Sequence, residues 1–136
     1  MFLQVPRRTV LVVDDDDELR ENIGECLALE RHACWLASSP QAALERVRHE
    51  GRAPDLVLLD HRTEGLSAQE FLARLKEHGP FARTPVVVMT AAWDREIPRD
   101  LVPDGVLVKP FDLVRLLRAV REALGPPPAQ ADARAV

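Results

Sequence analysis

Five short stretches of the chain are apolar at nearly every position: "TVLVV" (9–13), "ACWLA" (33–37), "DLVLL" (55–59), "PVVVM" (85–89) and "GVLV" (105–108). A strand with one wet face alternates apolar and polar residues, whereas an unbroken apolar run marks a strand covered on both faces. Between the runs, apolar residues recur at helical spacing, so each intervening segment has one face to bury. Leu19, Ile23, Cys26 and Leu27 make one stripe, Ala43, Leu44 and Val47 a shorter one, and Phe71, Leu72 and Leu75 a third. Leu113, Leu116, Leu117, Val120 and Leu124 make the clearest. Pro40 and Ser67 stand where helices should begin, since proline suits a first helical turn and serine caps one.

Strand alternating with helix predicts an α/β domain with right-handed parallel crossovers and a sheet covered on both sides. The connection after "PVVVM" is the weak one. "AAWDREIPRDLVPD" contains Pro98 and Pro103, so a helix there should be short or broken. The expected organisation is an N-terminal extension over 1–8 and one domain over 9–124. A Pro/Ala-rich tail or truncated linker follows over 125–136, where "GPPPAQADARAV" lacks apolar periodicity.

Composition narrows the picture slightly. With 136 residues, 46% of them apolar, the chain suffices for one domain with a sizeable core. A net charge of −4, from 22 acids against 18 bases, argues against a strongly nucleic-acid-binding surface. Cys26 and Cys34 fit no zinc or redox spacing and read as reduced core thiols. "MFLQVPRR" is too short an apolar start for a signal peptide, and no run approaches a membrane span. The expected setting is soluble and cytoplasmic.

Chemistry concentrates where the apolar runs end. "TVLVVDDDDELR" runs a buried strand straight into four aspartates, which repel one another unless something offsets their charge. One reading is capping: acids at a helix N-terminus accept from free N–H groups and complement the macrodipole. Asp16 and Asp17 suit that role, with Asp17 the expected cap. The other reading is a metal site. Open parallel sheets place their sites beyond the C-terminal strand ends. Those ends carry Asp14 and Asp15, Asp60, Thr90 and Lys109. If the first and third strands are neighbours, three carboxylates meet in one small volume. A hard cation with oxygen ligands, Mg²⁺ above all, would offset their repulsion. Lys109 and Thr90 would stand opposite as charge and hydrogen bond for phosphoryl oxygens, completing a kit for phosphoryl transfer.

The segments "LVVDDD" (11–16), "DLVLLD" (55–60), "VVVMTA" (86–91) and "VKPF" (108–111) occur in that order. Together they make the chain resemble, over about residues 8–124, a receiver domain of bacterial two-component response regulators. The resemblance implies a flavodoxin-like three-layer sandwich, with a five-stranded parallel sheet of order 2-1-3-4-5 and about five helices. Asp60 would be the phosphoacceptor, served by a phosphohistidine of a sensor kinase or phosphotransfer protein, or by a small donor such as acetyl phosphate. Asp15 and Asp60 would bind Mg²⁺ directly, Asp14 through water, and the backbone carbonyl of Arg62 would complete the protein ligands. Lys109 would pair with phosphoryl oxygens and Thr90 would hydrogen-bond to them after transfer; Lys109–Pro110 is an expected cis peptide. The output would be a switched contact with a downstream protein, with no direct nucleic-acid or membrane binding, and a homodimer is compatible with it.

Four positions depart from the family pattern. Val106 stands where a Tyr or Phe usually precedes the lysine by three residues, and the chain has no tyrosine. The Thr90-to-Lys109 segment is short, so the helix within it should be stunted. In "DHRTEGLSA", Glu64 and Ala68 replace the usual Pro and Gly. Arg62 puts a cation beside the site, either altering phosphate lifetime by shielding an acyl phosphate or pairing with Glu64, or simply solvated. Beside the acceptor, His61 reads as packed or solvated; Trp93 reads as loop packing or a partner contact, and Trp35 as sheet packing.

Two other classes compete. A receiver-like module could bind partners without a phosphorylation switch, as Val106 and the short segment would favour. A phosphatase of the haloacid dehalogenase type would need Asp-x-Asp-x-Thr/Val. Asp14 and Asp16 fit that pattern, but Glu18 stands at its last position and the chain has no cap insertion.

Overall fold

The structure, a computed structural model, describes residues 8–62, 67–77, 83–91 and 103–126. Strands β1 (Thr9–Val13), β2 (Ala33–Ala37), β3 (Leu56–Asp60), β4 (Val86–Ala91) and β5 (Gly105–Lys109) form one sheet of order β2-β1-β3-β4-β5. Every pairing is parallel. Helices α1 (Asp17–Leu29), α2 (Pro40–Glu50), α3 (Ala68–Lys76) and α4 (Leu113–Leu124) cover it. The expected α/β sandwich and strand order are therefore present, with four helices among the described residues. The expectation of a stunted helix between β4 and β5, the expectations for Trp93 and Glu64, and most of the expected N-terminal extension and tail fall outside the described residues.

The apolar runs are explained by two separate cores, one on each face. Leu11, Val13, Val57, Leu59 and Val88 pack with Phe71, Leu72 and Leu75 of α3 and with Leu44 and Val47 of α2. The alternate residues Val10, Val12, Leu56, Leu58 and Met89 pack with Ile23 and Leu27 of α1 and with Leu116 and Val120 of α4. Successive side chains on a strand face opposite ways, so a central strand between two helical layers must be apolar at both parities. β5 is an edge strand, and its Val106 and Val108 remain 47% and 44% exposed.

Several boundaries differ from expectation, each for a local reason. Asp55 is not in β3. Its Oδ2 instead accepts from the N–H of Thr9 at 2.7 Å, tying the start of β1. Pro85 lies outside β4 because it has no N–H for the ladder, although its carbonyl accepts from Val57 N at 3.0 Å. β4 extends through Thr90 and Ala91, beyond the expected end at Met89. The α1 cap is Asp16 rather than Asp17: the Asp16 carboxylate accepts from Leu19 N at 3.1 Å, and Asp17 is already in the first turn. Ser39, Ser67 and Asp112 cap the other three helices, and Pro40 opens α2.

Trp35 packs as expected, 4% exposed, with the guanidiniums of Arg52 and Arg46 at 4.8 and 5.6 Å from its ring centroid. Both cysteines are free and lie at the edge of the second core. Burial pushes the Cys34 thiol up to about 11, so it stays protonated and unreactive near neutral pH.

Candidate phosphoryl-transfer site

β1 and β3 are adjacent, and their C-terminal ends deliver the aspartates to one place. Carboxylate oxygens of Asp14, Asp15 and Asp60 all lie within 4.8 Å of one another. Asp14 is fully buried and Asp60 nearly so, whereas Asp15 is exposed and opens the cluster to solvent. Thr90, 5% exposed, lies one residue beyond Met89, the β4 partner of Asp60. Its hydroxyl sits 3.5 Å from the Ala91 carbonyl. Lys109 ends β5, paired in register with Ala91. His61 continues the chain beyond β3, its N–H donating to the Met89 carbonyl at 2.9 Å.

Lys109 links the two buried acids. Its ammonium is 2.8 Å from Asp14 Oδ2 and 3.4 Å from Asp60 Oδ1. Asp14 Oδ1 also accepts from the N–H of Asp16 at 2.9 Å, so both its oxygens are occupied. Asp60 Oδ1 accepts from the N–H of Arg62 at 3.3 Å. The Lys109–Pro110 peptide is cis, as the resemblance implied.

Electrostatics set the two groups apart. Burial raises the Asp60 carboxyl above the ordinary range and the neighbouring Asp14 charge adds to this; Lys109 and the Arg62 N–H oppose it incompletely. Burial by itself would lower the Lys109 ammonium, but its hydrogen bond to Asp14 and the charges of Asp60 and Asp14 outweigh that and raise it. Lys109 is thus a fixed positive charge near neutral pH.

The donor set suits a small hard cation. Three carboxylates from two strand ends offer oxygen ligands only, and an exposed flank leaves room for the waters Mg²⁺ retains. Among the described residues, no soft or nitrogen ligand joins this group.

Arg20 escaped the sequence reading. Its guanidinium donates to the backbone carbonyl of Asp14 at 2.8 Å and pairs with Asp17 at 2.6 Å, and so clasps the β1–α1 loop from behind. A base one turn into an acidic helix start was the available signal. Arg62 is exposed, and its backbone N–H reaches Asp60 at the site.

This fold and this arrangement of strand-end acids define the class. The chain belongs to the response regulator receiver domain family, whose model matches residues 10–121. It is 32% identical to the phosphate regulon transcriptional regulatory protein PhoB of Pseudomonas aeruginosa over 130 residues, covering 91% of this chain and 56% of that one. Sporulation initiation phosphotransferase F of Bacillus subtilis is also 32% identical, over 85% of this chain and 92% of its own. The receiver domain of NtrX from Brucella abortus superposes with a TM-score of 0.73 at 28% identity, covering 85% of this chain and 97% of that one. Chemotaxis response regulator CheY4 of Vibrio cholerae does so at 0.76 and 22% identity, covering 86% and 98%, a likeness of fold. The chain spans 56%, 25% and 49% of PhoB, the regulatory protein AtoC and a response regulator MprA, respectively.

Proposed function

We propose that this receiver domain accepts a phosphoryl group on Asp60 in a Mg²⁺-dependent reaction and thereby switches a protein contact. The observation that carries the reading is the convergence of Asp14, Asp15 and Asp60 within 4.8 Å, with the Lys109 ammonium 3.4 Å from Asp60. An Asp60 carboxylate oxygen attacks phosphorus while the phosphorus–nitrogen bond to a donor imidazole breaks and its electron pair stays with that ring. With acetyl phosphate, the bond to the acetate oxygen breaks instead.

Asp15 and Asp60, Asp14 through water, and the Arg62 carbonyl would hold the metal, which when bound neutralises phosphoryl charge and orients the donor. Asp60 must be ionised to attack, which its burial disfavours; the ammonium of Lys109 offsets that cost and then pairs with the transferred oxygens. Thr90, one residue beyond the β4 partner of Asp60, can turn its hydroxyl to the new phosphoryl group and draw the β4 end inward.

The donor would be a sensor histidine kinase or phosphotransfer protein, the target a downstream protein, and the compartment the cytoplasm. Among the described residues no helix is long and apolar enough to cross a membrane. The second reading, an interaction module without a switch, draws on Val106, 47% exposed on the edge strand and unable to swing a ring inward.

Acetyl phosphate with Mg²⁺, read on a phosphate-affinity gel, separates the two. A shifted band that disappears in Asp60→Asn supports transfer to that carboxylate. An unshifted wild-type band at saturating donor would leave the switch-free module.

A further inference from the structure

A cavity of about 650 Å³ opens at the end of the sheet remote from the carboxylates, between the C-terminal ends of α1 and α4. Its walls include Arg8, Arg31, Arg121 and His32, with Leu29 and Leu124 as apolar surface. Two of these guanidiniums are already engaged: Arg121 pairs with Glu30 at 2.5 Å, and Arg8 donates to the carbonyls of Leu124 and Pro126. The cavity's size lies within the usual range for small-molecule sites.

Arg31 is out of place on backbone grounds. Its φ of 66° lies in the left-handed region, as do those of Gly51 and Gly125 at the ends of α2 and α4. A Cβ makes that conformation costly, and glycine is the usual occupant. The turn is held by Arg31 N donating to the Ala28 carbonyl at 2.9 Å and His32 N donating to that of Leu27 at 3.1 Å. An arginine kept in a strained backbone conformation at a cavity wall points to a use for its side chain. Among the described residues no hydrogen bond or ion pair engages that guanidinium. Arg8 Nε, in the same wall, is a buried donor with no acceptor.

Leu29 adds a second chemistry, an aliphatic side chain 79% exposed beside these cations. Guanidinium forks match phosphate oxygens two at a time, and apolar surface beside them suits a flat ring. We propose that this cavity binds a phosphate-bearing small molecule of the nucleotide class. Arg31 takes its phosphate, Arg121 joins it by exchanging its part-exposed pair with Glu30 for the ligand, and Leu29 and Leu124 receive its base. The inference is independent of phosphoryl acceptance at Asp60, whose carboxylates lie at the other end of the strands.

Titration of the ¹⁵N-labelled full chain with AMP tests it, with EDTA present to keep divalent ions off the carboxylates. The expected result is saturable amide shifts at Arg31, His32, Leu124 and Gly125. Arg31→Gly should raise Tm by roughly 2–4 °C through relief of the backbone, yet weaken AMP by at least about tenfold through loss of a charge-assisted contact. Arg121→Gln should weaken it as well. Non-saturating shifts, equal shifts from sulfate at matched ionic strength (an adventitious ion only), shifts confined to the Asp14–Asp60 end, or unchanged affinity in Arg31→Gly would each overturn the assignment.

Discussion

Asp14 is a fully buried carboxylate that keeps its charge company through Lys109 and the N–H of Asp16. Removing one partner of such a pair leaves the other charge buried and uncompensated, which costs more than the pair itself contributes. Lys109→Ala is therefore expected to destabilise the metal-free protein by about 3 kcal/mol. Millimolar Mg²⁺ should recover part of that loss, because a divalent ion offsets the same carboxylates. Denaturant unfolding with and without Mg²⁺ measures both effects; a loss under about 0.5 kcal/mol would mean that Asp14 does not depend on the lysine.

Asp60 behaves oppositely. Its carboxyl is raised, mainly by burial and then by Asp14, so the folded chain holds that proton more tightly than the unfolded one. The ionised form thus destabilises the fold near neutral pH, and the penalty fades as pH falls through the raised value toward the ordinary carboxyl range. Asp60→Asn should accordingly stabilise the metal-free protein at pH 7 by roughly 1 kcal/mol, with the advantage shrinking at acid pH. Unfolding curves in EDTA across that range test the sign.

At the scale of elements, the acidic run divides its labour by backbone geometry. Asp14 follows directly on β1, and the Asp16 backbone, still extended at φ −79° and ψ 106°, lets its side chain turn back onto the N–H of Leu19. Asp17 is already helical and has no such freedom. Asp16→Ala should cost about 1 kcal/mol by loss of the cap, whereas Asp17→Ala should cost no more than a few tenths. Equal effects on Tm would undo the assignment. Four consecutive aspartates look alike in sequence. Their roles diverge only where the chain leaves the sheet, which is why the cap was misplaced by one residue. The strands themselves were legible to within one or two positions, because burial on both faces removes polar residues from β1 and β3 alike. Pro85 misled at the start of β4, since it is apolar yet cannot join the ladder.

For the whole molecule, the candidate metal site and the sheet are one device, because its ligands come from strand ends that meet only when the sheet is complete. Any ion binding the folded state alone adds stability by mass action, about 2.7 kcal/mol at a hundred times its dissociation constant. Mg²⁺ should therefore raise Tm in a concentration-dependent way in wild type and much less in Asp15→Asn. Asp15 is the variant of choice because it is exposed and its loss should not disturb the core. Identical curves with and without Mg²⁺ in wild type would remove the metal from the proposed function.

What the sequence determined on its own was local: which stretches are buried on both faces, which present one helical stripe, and which strand ends carry oxygen or ammonium groups. Periodicity records burial residue by residue, so these features survive without knowledge of neighbours. Convergence is different in kind. Asp14 and Lys109 are 95 positions apart and come to 2.8 Å only through the three parallel strand pairings that link β1 to β5. The clasp of Arg20 on the Asp14 carbonyl depends likewise on where a helix sits against a strand end. So does the basic cavity between α1 and α4. No local pattern encodes those distances, because they are set by the crossover connections and by the two cores that lock the helices onto opposite faces.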